Sequence, residues 1–208
     1  MSLAQLPFAE LLRAFQSHEP TPGGGSASAL AGAVGASLLA MVAGLPKSRV
    51  QDPDEARRLG AAGARSAALG ERLSELMDRD SGAYNLVVAA FRLPKATDEE
   101  KQARTGRIQE ALRAATEAPL DMMRACSSAL QLAGAVAALG NRNASSDVRV
   151  GIELLHAALR GAKLNVEANL ASLTDEAFTT AVRAEVERLV IEGEQRVEAA
   201  LASLGLPG

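Results

Sequence analysis

Three features of this sequence predict an all-α fold, a helical bundle built around one central helix rich in small residues. Only 2% of the residues are aromatic against 48% hydrophobic, and much of the apolar content is Ala and Leu, which favour helices and leave a sheet short of its preferred residues. Apolar positions recur at helical spacing, with no sustained apolar–polar alternation. Caps and prolines cut the pattern into helix-length segments joined by short connections. Residues 1–208 are read as a single domain, since the chain is somewhat long for one unit and short for two.

The first helix is predicted over residues 2–16, where Leu3, Leu6, Leu11, Leu12 and Phe15 make an amphipathic stripe. A loop follows through Thr21-Pro22-Gly23-Gly24-Gly25, and the apolar helix should start near Ser26, its hydroxyl capping orphan amides. Pro46 ends it. Asp52-Pro53-Asp54-Glu55 opens a third helix, with acidic residues at the positive end of its dipole. Gly82, in the Asp80-Ser81-Gly82 junction, predicts a kink or restart before the helix ends at Leu93-Pro94. Thr97-Asp98-Glu99-Glu100 reads as a capping box, and Pro119 should divide the helix it starts from a following one that reaches Leu139. Ser145, Ser146 and Asp147 open a long helix through Leu170, and Thr174-Asp175-Glu176 opens the last, ending near Leu204.

Composition also narrows function. A net charge of -3 with interspersed signs lacks the basic field that nucleic-acid binding requires. The lone Cys126 cannot form an internal disulfide, which fits a reducing cytoplasm. The N-terminus, with Glu10 and Arg13 in its first apolar stretch, does not read as a signal peptide. Residues 26–45 are long enough to span a bilayer. Thirteen of those twenty are Gly, Ala or Ser, however, so the segment is read as a bundle helix that lets neighbouring backbones approach. A second copy of the chain has the same face available. No metal site is expected, because His18 and His156 are far apart and neither makes a ligand-spaced group.

Three polar clusters interrupt the apolar pattern: residues 21–26, 80–95, and 141–147, the last joined by one helix to Asn165 and Asn169. Three glycines before a helix let a ligand approach the backbone and its free amides; a tight chain entry is the alternative reading. Asp80 shares a helix face with Tyr84, Val87 and Phe91. A carboxylate at the edge of a buried stripe has a raised pKa suited to moving protons, unless it serves as a cap or as a partner for Arg79 or Arg92. Arg92 and Lys95 flank Leu93-Pro94 and can point at one place. Asp147 and Asn165 share a helix face about 27 Å apart. Either they serve different ends of an extended ligand, or a neighbouring subunit brings one to the other's site.

Taken together, Thr21-Pro22-Gly23-Gly24-Gly25-Ser26, Asp80 through Ala83-Tyr84 to Phe91-Arg92-Leu93-Pro94-Lys95, Ala118-Pro119-Leu120, Gly140-Asn141 with Ser146-Asp147, and Gly161 through Asn165-Val166 to Asn169-Leu170 resemble the formimidoyltetrahydrofolate cyclodeaminase and methenyltetrahydrofolate cyclohydrolase family. Order and spacing match over about three-quarters of the chain. Tyr84 stands where Phe is usual, and Leu45-Pro46-Lys47 replaces a more polar stretch. The resemblance implies an all-helical homodimer without nucleic-acid or membrane partners and without a permanently bound cofactor, taking a tetrahydrofolate derivative as substrate. It implies a folate one-carbon enzyme. The expected reaction is hydrolysis of 5,10-methenyltetrahydrofolate to 10-formyltetrahydrofolate; the alternative is the lyase-type cyclodeaminase, which releases ammonia as the methenyl bridge closes. A non-catalytic folate-binding or protein-interaction module is the reading of another class. No fused formiminotransferase is expected in a chain of this length, which tilts the reading towards cyclohydrolase.

On this resemblance Asp80 is expected to transfer the proton, with Lys95 or Arg92 tuning its charge or binding the folate glutamate. Thr21, Pro22, Gly23, Gly24, Gly25 and Ser26 are expected to bind substrate through the loop, together with Tyr84, Asn143, Asp147 and Asn165. From composition, not from the resemblance, Tyr84 and Phe91 are the candidates for stacking on the pterin, because aromatics are only 2% of the chain.

Overall fold

The computed structural model describes residues 2–205. Among these residues it is all-helical. A 3-10 turn, Leu3–Gln5, precedes α1 (Phe8–Gln16); α2 (Gly24–Gly44), α3 (Pro53–Phe91), α4 (Asp98–Leu139), α5 (Ser145–Leu170) and α6 (Glu176–Ser203) follow. The predicted first helix over 2–16 is therefore broken. Leu6 precedes Pro7 and takes the extended backbone that a following proline imposes. The turn before it is pinned to α3, because Ser2 Oγ donates to Asp78 Oδ2 at 2.6 Å and the Leu3 amide donates to the other carboxylate oxygen.

Caps placed three helices as expected. Asp52 accepts from the amides of Asp54 and Glu55 at the start of α3, Thr97 and Glu100 form the capping box of α4, and Asp175 accepts from Phe178 N at the start of α6. Two predicted breaks do not occur. α3 runs through Gly82, where an added Cβ would meet nothing, so the missing side chain removes no packing. Buried Leu76 and Met77 before it, and Val87 and Ala90 after it, hold both halves in register.

α4 likewise continues through Pro119. A proline inside a helix deprives the carbonyl four residues earlier of its donor. That carbonyl is Ala115 O, and Asn169 Nδ2 of α5 donates to it at 2.9 Å. The side chain of one helix thus fills the gap in another.

α2 is the central helix, packed between α3 and α5 and touching α4. Its small residues allow the close approach. A Cβ on Gly35 would lie 2.7 Å from the Gly151 carbonyl oxygen, and one on Gly151 would lie 3.0 Å from that of Gly35. The two backbones touch where α2 and α5 cross. Around this contact the main core is aliphatic, with Leu39, Leu73, Met77, Met123, Leu130, Ile152 and Leu155 all buried. Beyond it, the end of α3 and the start of α4 carry a separate small core of Val87, Ala90, Ile108, Leu112 and Ala115. α2 and part of α4 are long and apolar enough to cross a membrane; the bundle buries 67% of the α4 stretch and 33% of the α2 stretch.

Arg124 and Asp121 of α4 together tie three helices. Arg124 makes two hydrogen bonds to Glu185, of 2.9 and 2.7 Å, and one of 2.8 Å to Asp121. Asp121 also accepts from Arg79 of α3, so Arg79 is not the partner of Asp80.

Candidate active site

The glycine loop and α3 meet where α2 begins. Ser26 lies inside α2 and does not act as its N-cap, because the helix starts at Gly24 with Gly23 in the cap position and no side-chain cap. Its hydroxyl is fully buried and turns towards α3. Ser26 Oγ lies 3.0 Å from Asp80 Oδ2, 3.1 Å from the Met77 carbonyl oxygen and 3.0 Å from Ser81 Oγ. The Gly24 and Gly25 amides have no hydrogen-bond acceptor among the described residues. Gly24 is exposed and Gly25 is buried, so the positive end of the α2 dipole is open to a ligand at Gly24.

Asp80 sits directly against this helix start. A Cβ on Gly25 would lie 2.6 Å from Asp80 Cγ, so glycine is what admits the carboxyl group. Burial is the dominant influence on Asp80 and pushes its pKa above the ordinary carboxylate value; hydrogen bonds from the Ser26 hydroxyl and amide pull it partly back. No cation contributes. We expect Gly25→Ala to lower turnover about a hundredfold by displacing the carboxyl, with the helical circular dichroism unchanged. Steady-state kinetics on the folded variant check this.

Asn165 reaches the same place from α5. Its Nδ2 would lie 3.8 Å from a Cβ on Gly24 and donates to Gly161 O at 2.9 Å. Its side-chain oxygen has no donor among the described residues and remains free to accept. Thr21 Oγ1 lies 3.5 Å from Asn85 Oδ1. A cavity of about 500 Å³ opens beside the loop, lined by Ser2, Leu3, Thr21, Pro22, Asp78, Ser81, Gly82 and Asn85. Asp78, Ser81 and Asn85 recur at spacings of three and four on α3, a polar stripe that sequence reading passed over although the helical period exposes it.

The remaining predicted residues lie elsewhere. Tyr84, one turn beyond Asp80, is partly exposed, and Phe91 lies near the end of α3 under the Arg104 guanidinium, 5.5 Å from its ring centre. Arg92 caps α3 about 18 Å along the helix from Asp80, and Lys95 lies beyond it in the turn. Within one chain neither cation tunes Asp80, because the helical rise separates them.

Asn143 and Asp147 sit at the other end of α2, since α5 runs antiparallel to it: Gly161 faces Ser28, whereas Gly151 faces Gly35. There Asn141 Nδ2 donates to Pro46 O at 2.7 Å, tying the Leu45-Pro46-Lys47 stretch to the same cluster. Cys126 is buried and its thiol is pushed up to about 12 by desolvation, which makes it inert. Among the described residues no His, Cys, Asp and Glu side chains group as metal ligands.

Comparison with known proteins places the chain among folate enzymes. A model of the formiminotransferase-cyclodeaminase family matches residues 7–188. The chain is 41% identical over 176 residues to a methenyltetrahydrofolate cyclohydrolase of Methylorubrum extorquens, covering 85% of each. It is 33% identical over 204 residues to the formimidoyltransferase-cyclodeaminase of Gallus gallus; the match takes in 97% of this chain but only 37% of that longer protein. In three dimensions it is similar to the crystal structure of formiminotetrahydrofolate cyclodeaminase from Thermotoga maritima, with a TM-score of 0.86, 25% identity, and coverage of 97% and 96% of the two chains.

Proposed function

The chain belongs to the formiminotransferase-cyclodeaminase family, and we propose that it hydrolyses 5,10-methenyltetrahydrofolate to 10-formyltetrahydrofolate. The observation that carries this reading is Asp80: a carboxyl with a raised pKa, seated on Gly25 beside uncapped amides. In the reaction, water attacks the bridging carbon of the methenyl cation and a C–O bond forms. Asp80 takes one water proton. The bond from that carbon to N5 then breaks, the remaining hydroxyl proton passes to N5, and the formyl group stays on N10. The amides of Gly24 and Gly25 donate to the pterin edge, and Asn165 Oδ1 accepts from it. Tyr84 lies one turn away as a stacking surface. On this reading Arg92 and Lys95 bind the carboxylates at the far end of an elongated substrate. The tetrahydrofolate derivative is the substrate, and on this reading no resident cofactor takes part. A cytoplasmic location fits the lone buried Cys126.

The cyclodeaminase is the second reading, favoured by the relatives of that name. The same carboxyl would then serve the proton movements as N10 attacks the formimino carbon and ammonia leaves. The deciding experiment runs both assays on one preparation. Loss of methenyl absorbance without ammonia release from 5-formiminotetrahydrofolate is expected; ammonia release at a comparable rate selects the second reading, and neither activity removes the enzyme assignment.

We also infer a homodimer through α2. Its uncovered stripe of Ala27, Ala31, Val34, Leu38 and Met41 carries no charge, and Val34 and Met41 are 45% and 44% exposed. A two-fold axis near Val34 would set the stripe against its own copy. Each copy's Asn143, Asp147 and Lys47 would then approach the other's glycine loop, giving Asn143 and Asp147 a part in substrate binding. Val34→Asp is expected to give a monomer by light scattering with turnover reduced at least about tenfold, since a charge in an apolar interface costs several kcal/mol. A variant that remains dimeric removes this interface.

A further inference from the structure

We propose that Ser26 and Ser81 form a proton relay that connects Asp80 with the cavity beside the N-terminal turn. The inference deepens the reading of Asp80 as the proton acceptor and rests on it. Every hydrolysis leaves one proton on Asp80, and a substrate ring lying over the glycine loop covers the side from which the carboxyl was reached. The proton therefore needs a second way out. The fully buried Ser26 hydroxyl supplies the first link, at 3.0 Å from Asp80 Oδ2, and Ser81 supplies the second, at 3.0 Å from Ser26 Oγ. Ser81 itself lines the cavity, together with Asp78 and Asn85, which keep that space polar.

Ser26 has one proton and three oxygen neighbours, because the Met77 carbonyl oxygen lies 3.1 Å away. A purely structural hydroxyl is satisfied by that carbonyl alone; the further two oxygens give it alternative partners for each state of Asp80. After water has lost a proton to the carboxyl, Asp80 turns about its Cβ–Cγ bond and donates to Ser26 Oγ. Ser26 passes its own proton to Ser81 Oγ, and Ser81 passes its own to cavity water. One proton leaves for each one formed. The chain is left with Ser81 donating to Ser26 and Ser26 donating to the carboxylate, ready for the next cycle. Ser26 and Ser81 act through Asp80 and need no contact with substrate.

The test compares Ser81→Ala, Ser81→Thr and Asp80→Asn as full-length proteins. For Ser81→Ala, kcat is expected to fall about tenfold with KM unchanged and a larger solvent isotope effect, and the rate to recover with rising concentration of small buffers such as imidazole. Ser81→Thr keeps a hydroxyl and should retain most of the activity without a buffer requirement. Parental kcat and buffer independence in Ser81→Ala, beside an inactive Asp80→Asn, overturn the relay and leave the role of Asp80 standing. Activity in Asp80→Asn overturns both. A Ser81→Ala defect confined to KM, or one that Ser81→Thr shares in full, marks a structural role and also overturns the relay.

Discussion

Asp80→Asn is expected to slow turnover of 5,10-methenyltetrahydrofolate by about 10²–10⁴-fold, the range for losing a positioned proton-transfer group. It should keep the parental circular dichroism and melt no lower than the parent at neutral pH. The stability argument follows from linkage. Because burial raises the Asp80 pKa in the folded chain, the folded state binds more protons than the unfolded state between the unfolded carboxyl pKa and the raised one. Stability therefore falls as pH rises through that window and stays lower above it. An uncharged amide avoids this loss while still accepting from Ser26. For the parent, kcat/KM should rise with pH through the raised Asp80 pKa, since only the carboxylate accepts a proton. A pH–rate profile with thermal melts of both proteins checks the pair of statements, and parental turnover in Asp80→Asn removes Asp80 from the chemistry.

Gly35→Val carries the largest expected cost in stability, roughly 3 kcal/mol. Its Cβ would be forced to 2.7 Å from the Gly151 carbonyl oxygen and 2.9 Å from Leu155 Cγ, and neither neighbour can yield without parting α2 from α5. Because that crossing also sets the distance from the glycine loop to Asn165, KM should rise in whatever protein remains folded. Gly106→Ala is the contrast. Nothing lies within 4 Å of a Cβ there, so better helix propensity should raise stability by about 0.5–1 kcal/mol. Urea unfolding of the two variants separates steric from conformational effects; equal stabilities would show that the α2–α5 contact gives way freely.

The helices and their starts were legible because caps act locally: Asp52, Thr97 and Asp175 each bind amides within three residues. The breaks were misread for the same reason. Local chemistry marks Gly82 and Pro119 as weak points, but what mends Pro119 is Asn169, fifty residues away in sequence, and no local rule reaches that far. At the site, the glycine loop, Asp80 and Asn165 were recognisable from motif and face, and the fold brings these three together. The separation of Arg92 from Asp80 was not legible while a break at Gly82 was expected, because only the uninterrupted α3 sets them about 18 Å apart along its axis. The Ser26–Ser81 contact was hidden by the expectation that Ser26 caps its own helix. Only the register of α2 on α3 decides which way that hydroxyl turns.

Pro119 and Asn169 consequently behave as one trait held at two positions. Loss of the amide alone strands a buried carbonyl. Loss of the proline alone restores the main-chain donor and leaves the asparagine redundant, so the effect of changing either residue depends on whether the other is still present. A drifting lineage can leave this arrangement safely in one order only, proline first.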